Sequence, residues 1–314
     1  MDRCRIDFYV CEPTASMEDT VVVTGALGGA GSWIVDDLRN DYDVVAMDQT
    51  LPESTDIAGV DFQAVDLTDQ GTTFETILDA DPTTVVHFGN IPHEENHAGG
   101  DVYENNVLST YHTLEAAGRT GADVVWASSE TVYGTHWPEP ELPESLPVTE
   151  THPVKPWNGY ETSKLAGEAA AERVTNAFDV SAVSIRSSWI QYPGRYEITS
   201  VREQFDFESA DRFGNLWSYI DIRDIVSLVR KAIDQTITGH EVVNAFGPDN
   251  FLGVETTEAI KAGFGYLPDN CDLSGDESAY STLKAKSLLG WEPAHSWKGA
   301  EDESPRYPDF ARPF

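Results

Sequence analysis

Residues 20–31, TVVVTGALGGAG, set a run of β-branched residues directly against three glycines at three-residue spacing, Gly25, Gly28 and Gly31, and a helical pattern follows at once. That order allows little besides a strand, a tight turn and a helix. Glycine serves there for two reasons: the chain must turn where a Cβ would collide, and backbone N–H groups must approach a pyrophosphate at the helix N-terminus. A glycine cluster by itself is weak evidence; its place between strand and helix makes it a dinucleotide fingerprint.

The same alternation continues along the chain. Short β-branched runs at 20–24, 43–48, 61–66, 83–89 and 122–128 are separated by helical patterns near 29–39, 71–80 and 102–117. This is the pattern of βαβ units and a parallel sheet. Residues 135–156, THWPEPELPESLPVTETHPVKP, carry six prolines and are expected to form a loop. A helix over 158–177 follows, started by Asn158 and Gly159, then a sixth strand at 180–186 and an irregular segment at 187–215. A helix at 221–233, a strand at 241–246 and a helix at 282–291, ended by Gly290, complete the pattern. The fold class is α/β, a Rossmann-like doubly wound parallel sheet with a small C-terminal substrate-binding subdomain. Residues 1–18 are expected as an N-terminal extension, 19–186 as the dinucleotide-binding domain, and 187–300 as mainly substrate-binding with a returning strand and helix. The tail, 301–314, reads as surface coil.

A second strand ending in Asp48 places a carboxylate where it can accept hydrogen bonds from an adenosine ribose diol. That favours NAD, since Asp48 repels a 2′-phosphate and no arginine stands in the glycine loop or beside Asp48; NADP remains possible. Asp66, closing the third strand, is placed to meet the adenine, although strand ends are rich in turn-forming aspartate.

Acidic residues number 54 against 20 basic ones, a net charge of −34 spread over the whole chain. Such an excess excludes nucleic acid and anionic membrane surfaces as partners, and it resembles proteins of salt-in halophiles, whose medium screens self-repulsion. No apolar run of membrane-spanning length occurs, so a cytoplasmic protein is expected. Cys4, Cys11 and Cys271 show no metal or disulfide spacing.

The stretch NGYETSKLAGE at 158–168 puts Tyr160 and Lys164 one turn apart on one helix face. Read with TGALGGAG, Asp48, VVHFGN, NNVLSTYHTLEAA, ASSETVYG, YETSK and AKSLLGWEP, all in order, the chain resembles the extended short-chain dehydrogenase/reductase family, also called the NAD-dependent epimerase/dehydratase family. The resemblance covers about residues 20–295. It implies Tyr160 as acid/base, Lys164 as its partner and holder of the nicotinamide ribose, and Ser129 as the hydroxyl that orients the substrate. It also implies a cofactor site of Gly25, Leu27, Gly28, Gly31, Asp48, Asp66, Leu67, Asn106 and Lys164, and a homodimer or higher homo-oligomer built on the 102–117 and 158–177 helices. A free phenol, of pKa ~10, is a poor base at neutral pH, and a neighbouring ammonium favours its ionised form.

Only 56 residues separate Lys164 from Asp221, which is lean for a nucleotide-sugar clamp. That segment is similar to uronate dehydrogenases and aldose 1-dehydrogenases, whose arginine followed five residues later by tryptophan is matched by Arg212 and Trp217. Glu130 and Thr131 stand where uronate dehydrogenases have Asn and His, so a neutral pentose or hexose is as suitable a substrate as a uronate. The implied reaction is oxidation of a sugar at C1 to a lactone, with Ser129, Glu130, Ser188, Arg212 and His93 as substrate candidates and Gln191 and Arg195 as weaker ones. The alternatives are a nucleotide-sugar 4-epimerase or dehydratase, using the same Tyr, Lys and Ser, and a non-catalytic dinucleotide-binding protein. HEENH at 93–97 formally matches a zinc motif, but it follows Pro92, precedes Ala-Gly-Gly and is expected to be loop, so no metal is expected; His93 or a neighbour lines the sugar pocket, or the stretch is solvated.

Overall fold

The computed structural model describes residues 19–92, 94, 97–134, 140–207, 213–300 and 302–312. The expected extension at 1–18, with Cys4 and Cys11, and the substrate candidates His93 and Arg212 lie outside the described residues. Seven strands form one sheet: β1 (Thr20–Thr24), β2 (Asp43–Asp48), β3 (Val60–Ala64), β4 (Thr84–His87), β5 (Asp123–Ser129), β6 (Ala182–Ser187) and β7 (His240–Ala245). All its pairings are parallel and the order is β3-β2-β1-β4-β5-β6-β7. The build-out therefore reverses between β1 and β4, the crevice where open α/β sheets bind ligands.

The helices are α1 (Gly29–Leu38), α2 (Gln70–Ala80), α3 (Gly99–Thr120), α4 (Gly159–Ala177), α5 (Ile198–Gln204), α6 (Ile222–Asp234), α7 (Thr256–Phe264), α8 (Leu283–Leu289) and the single turn α9 (Trp297–Ala300). Strand β1 shows why they lie on both faces. Val21 and Val23 enter a cluster with Ile34, Val35 and Leu38 of α1 and Ile225, Leu228 and Val229 of α6. Val22, pointing the other way, meets Ile77 of α2, Leu114 of α3 and Ala171 and Val174 of α4. Each such fully buried aliphatic side chain contributes roughly 1.5–3 kcal/mol by leaving water, and a strand apolar on both sides needs cover on both.

A third cluster, with Tyr133, Val148, Trp217, Tyr219, Phe246, Phe251 and Tyr280, is built from segments that leave the carboxyl ends of β5, β6 and β7. Phe246 and Tyr280 stack there with ring centroids 4.1 Å apart. Among the described residues, no helix is long and apolar enough to cross a membrane.

Several expected boundaries move for identifiable reasons. The third strand ends at Ala64 because Asp66 turns back on its own chain, accepting from the Thr68 N–H at 2.9 Å and the Thr68 hydroxyl at 2.7 Å. The segment expected to be irregular holds α5. Helix α7, TTEAIKAGF, was not anticipated, since its threonines and glycine hide a helical period. The tail is not mere surface coil: Phe310 is buried in the α1/α6 cluster, edge-on to Phe62 at 5.5 Å.

Candidate active site

The glycine loop leaves β1 at the carboxyl edge of the sheet. Gly25 has φ +68°, and a Cβ there would stand 2.7 Å from the Phe88 carbonyl oxygen and 2.8 Å from Gly89. A Cβ at Gly31 would collide with the Gly25 carbonyl, so both glycines are required for α1 to lie this close to the turn. Helix α1 starts at Gly28 without a side-chain cap, which leaves first-turn N–H donors for a ligand. Asp48, buried at the end of β2, accepts from the Leu27 N–H at 3.0 Å and the Gln49 N–H at 2.7 Å. A cradle that any Cβ would fill, beside a strand-end carboxylate, fits NAD. Leu67 is buried against Gly89 and its carbonyl accepts from the His112 ring at 3.0 Å, whereas Asp66 is exposed.

One expectation is corrected here. An arginine does stand beside Asp48: Arg312 Nη2 lies 2.5 Å from Asp48 Oδ1 and donates to Thr50 Oγ1 at 2.9 Å. It arrives from 264 residues away in sequence, so no local pattern could announce it.

The candidate catalytic groups gather at the ends of β4 and β5 and the start of α4. Asn158 caps α4, its side chain accepting from the Glu161 N–H at 2.8 Å. Tyr160 lies half-buried in the first turn, near Ser129 at the end of β5. Burial pushes its phenol up, the Ser129 hydroxyl pulls it back, and the charges of Glu130 and Glu161 add to the rise. Without cofactor, Tyr160 is therefore a neutral phenol at neutral pH. Lys164 is buried one turn on, donating to Asn90 Oδ1 at 2.6 Å and to the Ala127 carbonyl at 2.8 Å, with Nζ 5.3 Å from the Tyr160 ring centroid. Burial brings its ammonium down to about 7.

Glu130 is only 3% exposed. It lies between two hydroxyls, accepting from Ser129 at 3.2 Å through one oxygen and from Ser188 at 3.3 Å through the other. The structure thus brings together Ser129, Glu130, Ser188, Tyr160 and Lys164. It does not bring in the other described candidates. Gln191 is spent on backbone, accepting from Ile198 N–H at 3.2 Å, and Arg195 is exposed beside Tyr307. Trp217 is buried in the aromatic cluster between Phe205 and Phe213. Asn106 acts on the backbone: its Oδ1 accepts from Ile91 N–H at 2.8 Å and its Nδ2 donates to Ile91 O at 2.9 Å, fixing the loop after β4.

Sequence reasoning missed the layer that holds these groups. Asn90 Nδ2 donates to Ser109 at 3.1 Å while its oxygen takes Lys164. His87, in contact with Thr24 at 2.7 Å and Thr110 at 3.0 Å, is held neutral, its pKa lowered to about 3 chiefly by burial and then by the Lys164 charge. Glu94, the glutamate of HEENH, accepts from the Tyr160 N–H at 3.0 Å. Arg186 and Glu168 form a buried two-point pair at 2.8 Å that ties α4 to β6. His87 and Asn90 both lie within VVHFGN, Glu94 within HEENH and Glu168 within NGYETSKLAGE, but no local spacing marks the partners these side chains meet on other elements. Among the described residues, no cluster of three His, Cys, Asp or Glu could hold a metal.

A parallel sheet in this order, a glycine cradle, a strand-end aspartate and a serine–tyrosine–lysine set beyond the carboxyl end of β5 define a dinucleotide-dependent protein of the extended short-chain dehydrogenase/reductase kind. The chain belongs to the NAD dependent epimerase/dehydratase family, whose sequence profile matches residues 21–245. It is 26% identical to the L-arabinose 1-dehydrogenase (NAD(P)(+)) of Haloferax volcanii over 79% of this chain and 95% of that protein. It is 23% identical to the UDP-glucose 4-epimerase of Corynebacterium glutamicum over 88% of this chain and 91% of that one. Its fold is similar to that of a short-chain dehydrogenase/reductase superfamily protein from Agrobacterium tumefaciens with bound NAD, at a TM-score of 0.68 and 22% identity over 90% of this chain and 95% of that chain.

Proposed function

We propose that this chain oxidises a neutral aldose at C1 to its lactone with NAD, using Tyr160 as the base. The observation that carries the reading is the buried Glu130 between Ser129 and Ser188: a carboxylate facing the hydroxyls that would hold the sugar accepts hydrogen bonds from hydroxyls and repels a uronate. The similarity to an L-arabinose 1-dehydrogenase over most of both chains supports it. NAD, when bound, supplies the acceptor for the hydride leaving C1 and a positive ring that favours the Tyr160 phenolate.

The chain's residues do the rest. Ser129 shares a hydrogen bond with the C1 hydroxyl and Tyr160 takes its proton. Lys164 steadies the phenolate and holds the nicotinamide ribose, while Asn90 and the Ala127 carbonyl fix its ammonium. Proximity and orientation supply much of the rate. A panel of free pentoses, hexoses, uronates and UDP-sugars, with NAD in concentrated KCl, tests the reading at the NADH absorbance. Steady NADH production from a neutral aldose is expected. Interconversion of UDP-glucose and UDP-galactose without net NADH would instead establish the 4-epimerase reading, which the similarity to such epimerases supports.

The net charge of −34 makes a salt-rich medium part of the proposal. Unfolding by denaturant is expected to become easier as KCl is lowered from about 2 M to about 0.1 M, over which the Debye length grows severalfold; a flat response removes that part. Tyr103 and Tyr111, 41% and 40% exposed on α3, support a homodimer through α3 and α4, which light scattering would test.

A further inference from the structure

The 302–312 segment crosses the molecule as a strap with anchors along its length. Glu303 pairs with Arg223 at 3.1 Å, and its carbonyl lies so close to Gly194 that it leaves no room for a side chain there. Phe310 is then buried beside Phe62. Two residues on, the Arg312 N–H donates to the Leu27 carbonyl at 2.9 Å, inside the glycine loop.

These anchors deliver a guanidinium to the end of β2. Nη2 of Arg312 makes the bonds to both Asp48 and Thr50, and among the described residues its Nη1 and Nε hold no hydrogen bond. The side chain is 45% exposed. An arginine held by one nitrogen, with the rest of its fork open, is suited to two-point binding of a phosphate. It also offsets the charge by which Asp48 alone would repel one.

We propose that Arg312, with the hydroxyl of Thr50, forms a 2′-phosphate subsite that lets this chain take NADP as well as NAD. This rests on the reading that the glycine loop and Asp48 hold the adenosine half of the dinucleotide. The strap, and not the β2 end alone, then sets cofactor choice.

The test is binding by calorimetry on the full chain, independent of turnover, in KCl concentrated enough to keep it folded. The probes are NAD, NADP, AMP and adenosine 2′,5′-bisphosphate. Wild type is expected to bind NADP and to bind adenosine 2′,5′-bisphosphate at least as tightly as AMP. Arg312→Gln is expected to weaken NADP and the bisphosphate by about 10- to 100-fold while NAD and AMP move less than about threefold, and Thr50→Val is expected to do the same more weakly. Arg312→Lys should recover part of the loss. Equal losses for NAD and NADP in Arg312→Gln, or no loss for either, would overturn the subsite, as would a wild type that binds NAD but not NADP. A wild type that binds none of the four probes would overturn the cofactor reading itself and the subsite with it.

Discussion

The two ends of the dinucleotide site are built on different plans. At the end proposed to be catalytic, Ser129, Tyr160 and Lys164 come from β5 and α4, and Asn90 and His87 behind them from β4 and its loop. Every member is close to the end of a central strand, and Lys164 and His87 are fully enclosed. At the adenosine end, a single carboxylate is shared among two backbone N–H groups and a half-exposed arginine brought from a distant segment. The enclosed end can hold a lysine near neutrality and a histidine uncharged, because burial shifts pKa values. The open end has no such leverage; it works by direct charge and hydrogen bonding, which solvent and salt weaken. Rate should therefore reside at one end and cofactor affinity at the other.

The largest effect that could break this division is expected from Tyr160→Phe. It should lower kcat/KM by about 100- to 10,000-fold and leave NAD affinity within about threefold. A matching collapse of NAD binding would show the two ends to be one unit, and unchanged turnover would return the chain to a non-catalytic dinucleotide-binding role. Asp48→Asn should do the reverse, weakening NAD by about 10- to 100-fold with little change in kcat at saturation. Steady-state kinetics alongside binding separates the two.

A smaller effect is expected with acid. His87 has its pKa near 3 in the folded chain and near its ordinary ~6.5 when unfolded. Between these values the unfolded chain binds a proton that the folded chain does not. The contribution of His87 is therefore complete above pH ~6.5 and declines as pH falls toward ~3, on the order of 1 kcal/mol per pH unit. Denaturant unfolding across that range should show a shallower pH slope in His87→Gln than in wild type. Identical slopes would mean that acid does not act at the enclosed end.

The difference between the ends also explains what the sequence could disclose. The glycine loop, Asp48, Ser129, Tyr160 and Lys164 were legible because each sits at a fixed place in a strand–turn–helix unit, where the backbone imposes the spacing. The strands and the parallel, doubly wound class of the sheet followed from the alternation of β-branched runs with helical periods. Beyond β6 the rules thin out: α7 has a poor helical composition, Trp217 belongs to an aromatic core that no period marks, and Gln191 turns out to serve backbone. Arg312 is the extreme case. Its placement depends on Glu303 docking against Arg223 and Gly194 and on Phe310 docking against Phe62, and tertiary contacts of that kind leave no spacing to read.

Glu94 gives one residue of the HEENH stretch a supporting role. Its carboxylate receives the Tyr160 N–H and lies close to Gly159 and Gly99, where α3 and α4 begin. In a library that varied every position and selected for turnover, Glu94 would therefore score with the chemical residues through its hold on the two helix starts alone. Such a scan would misassign it as a participant in the reaction, and growth at progressively lower temperature, where a slackened helix start regains order, is the selection that would tell a support from a reagent.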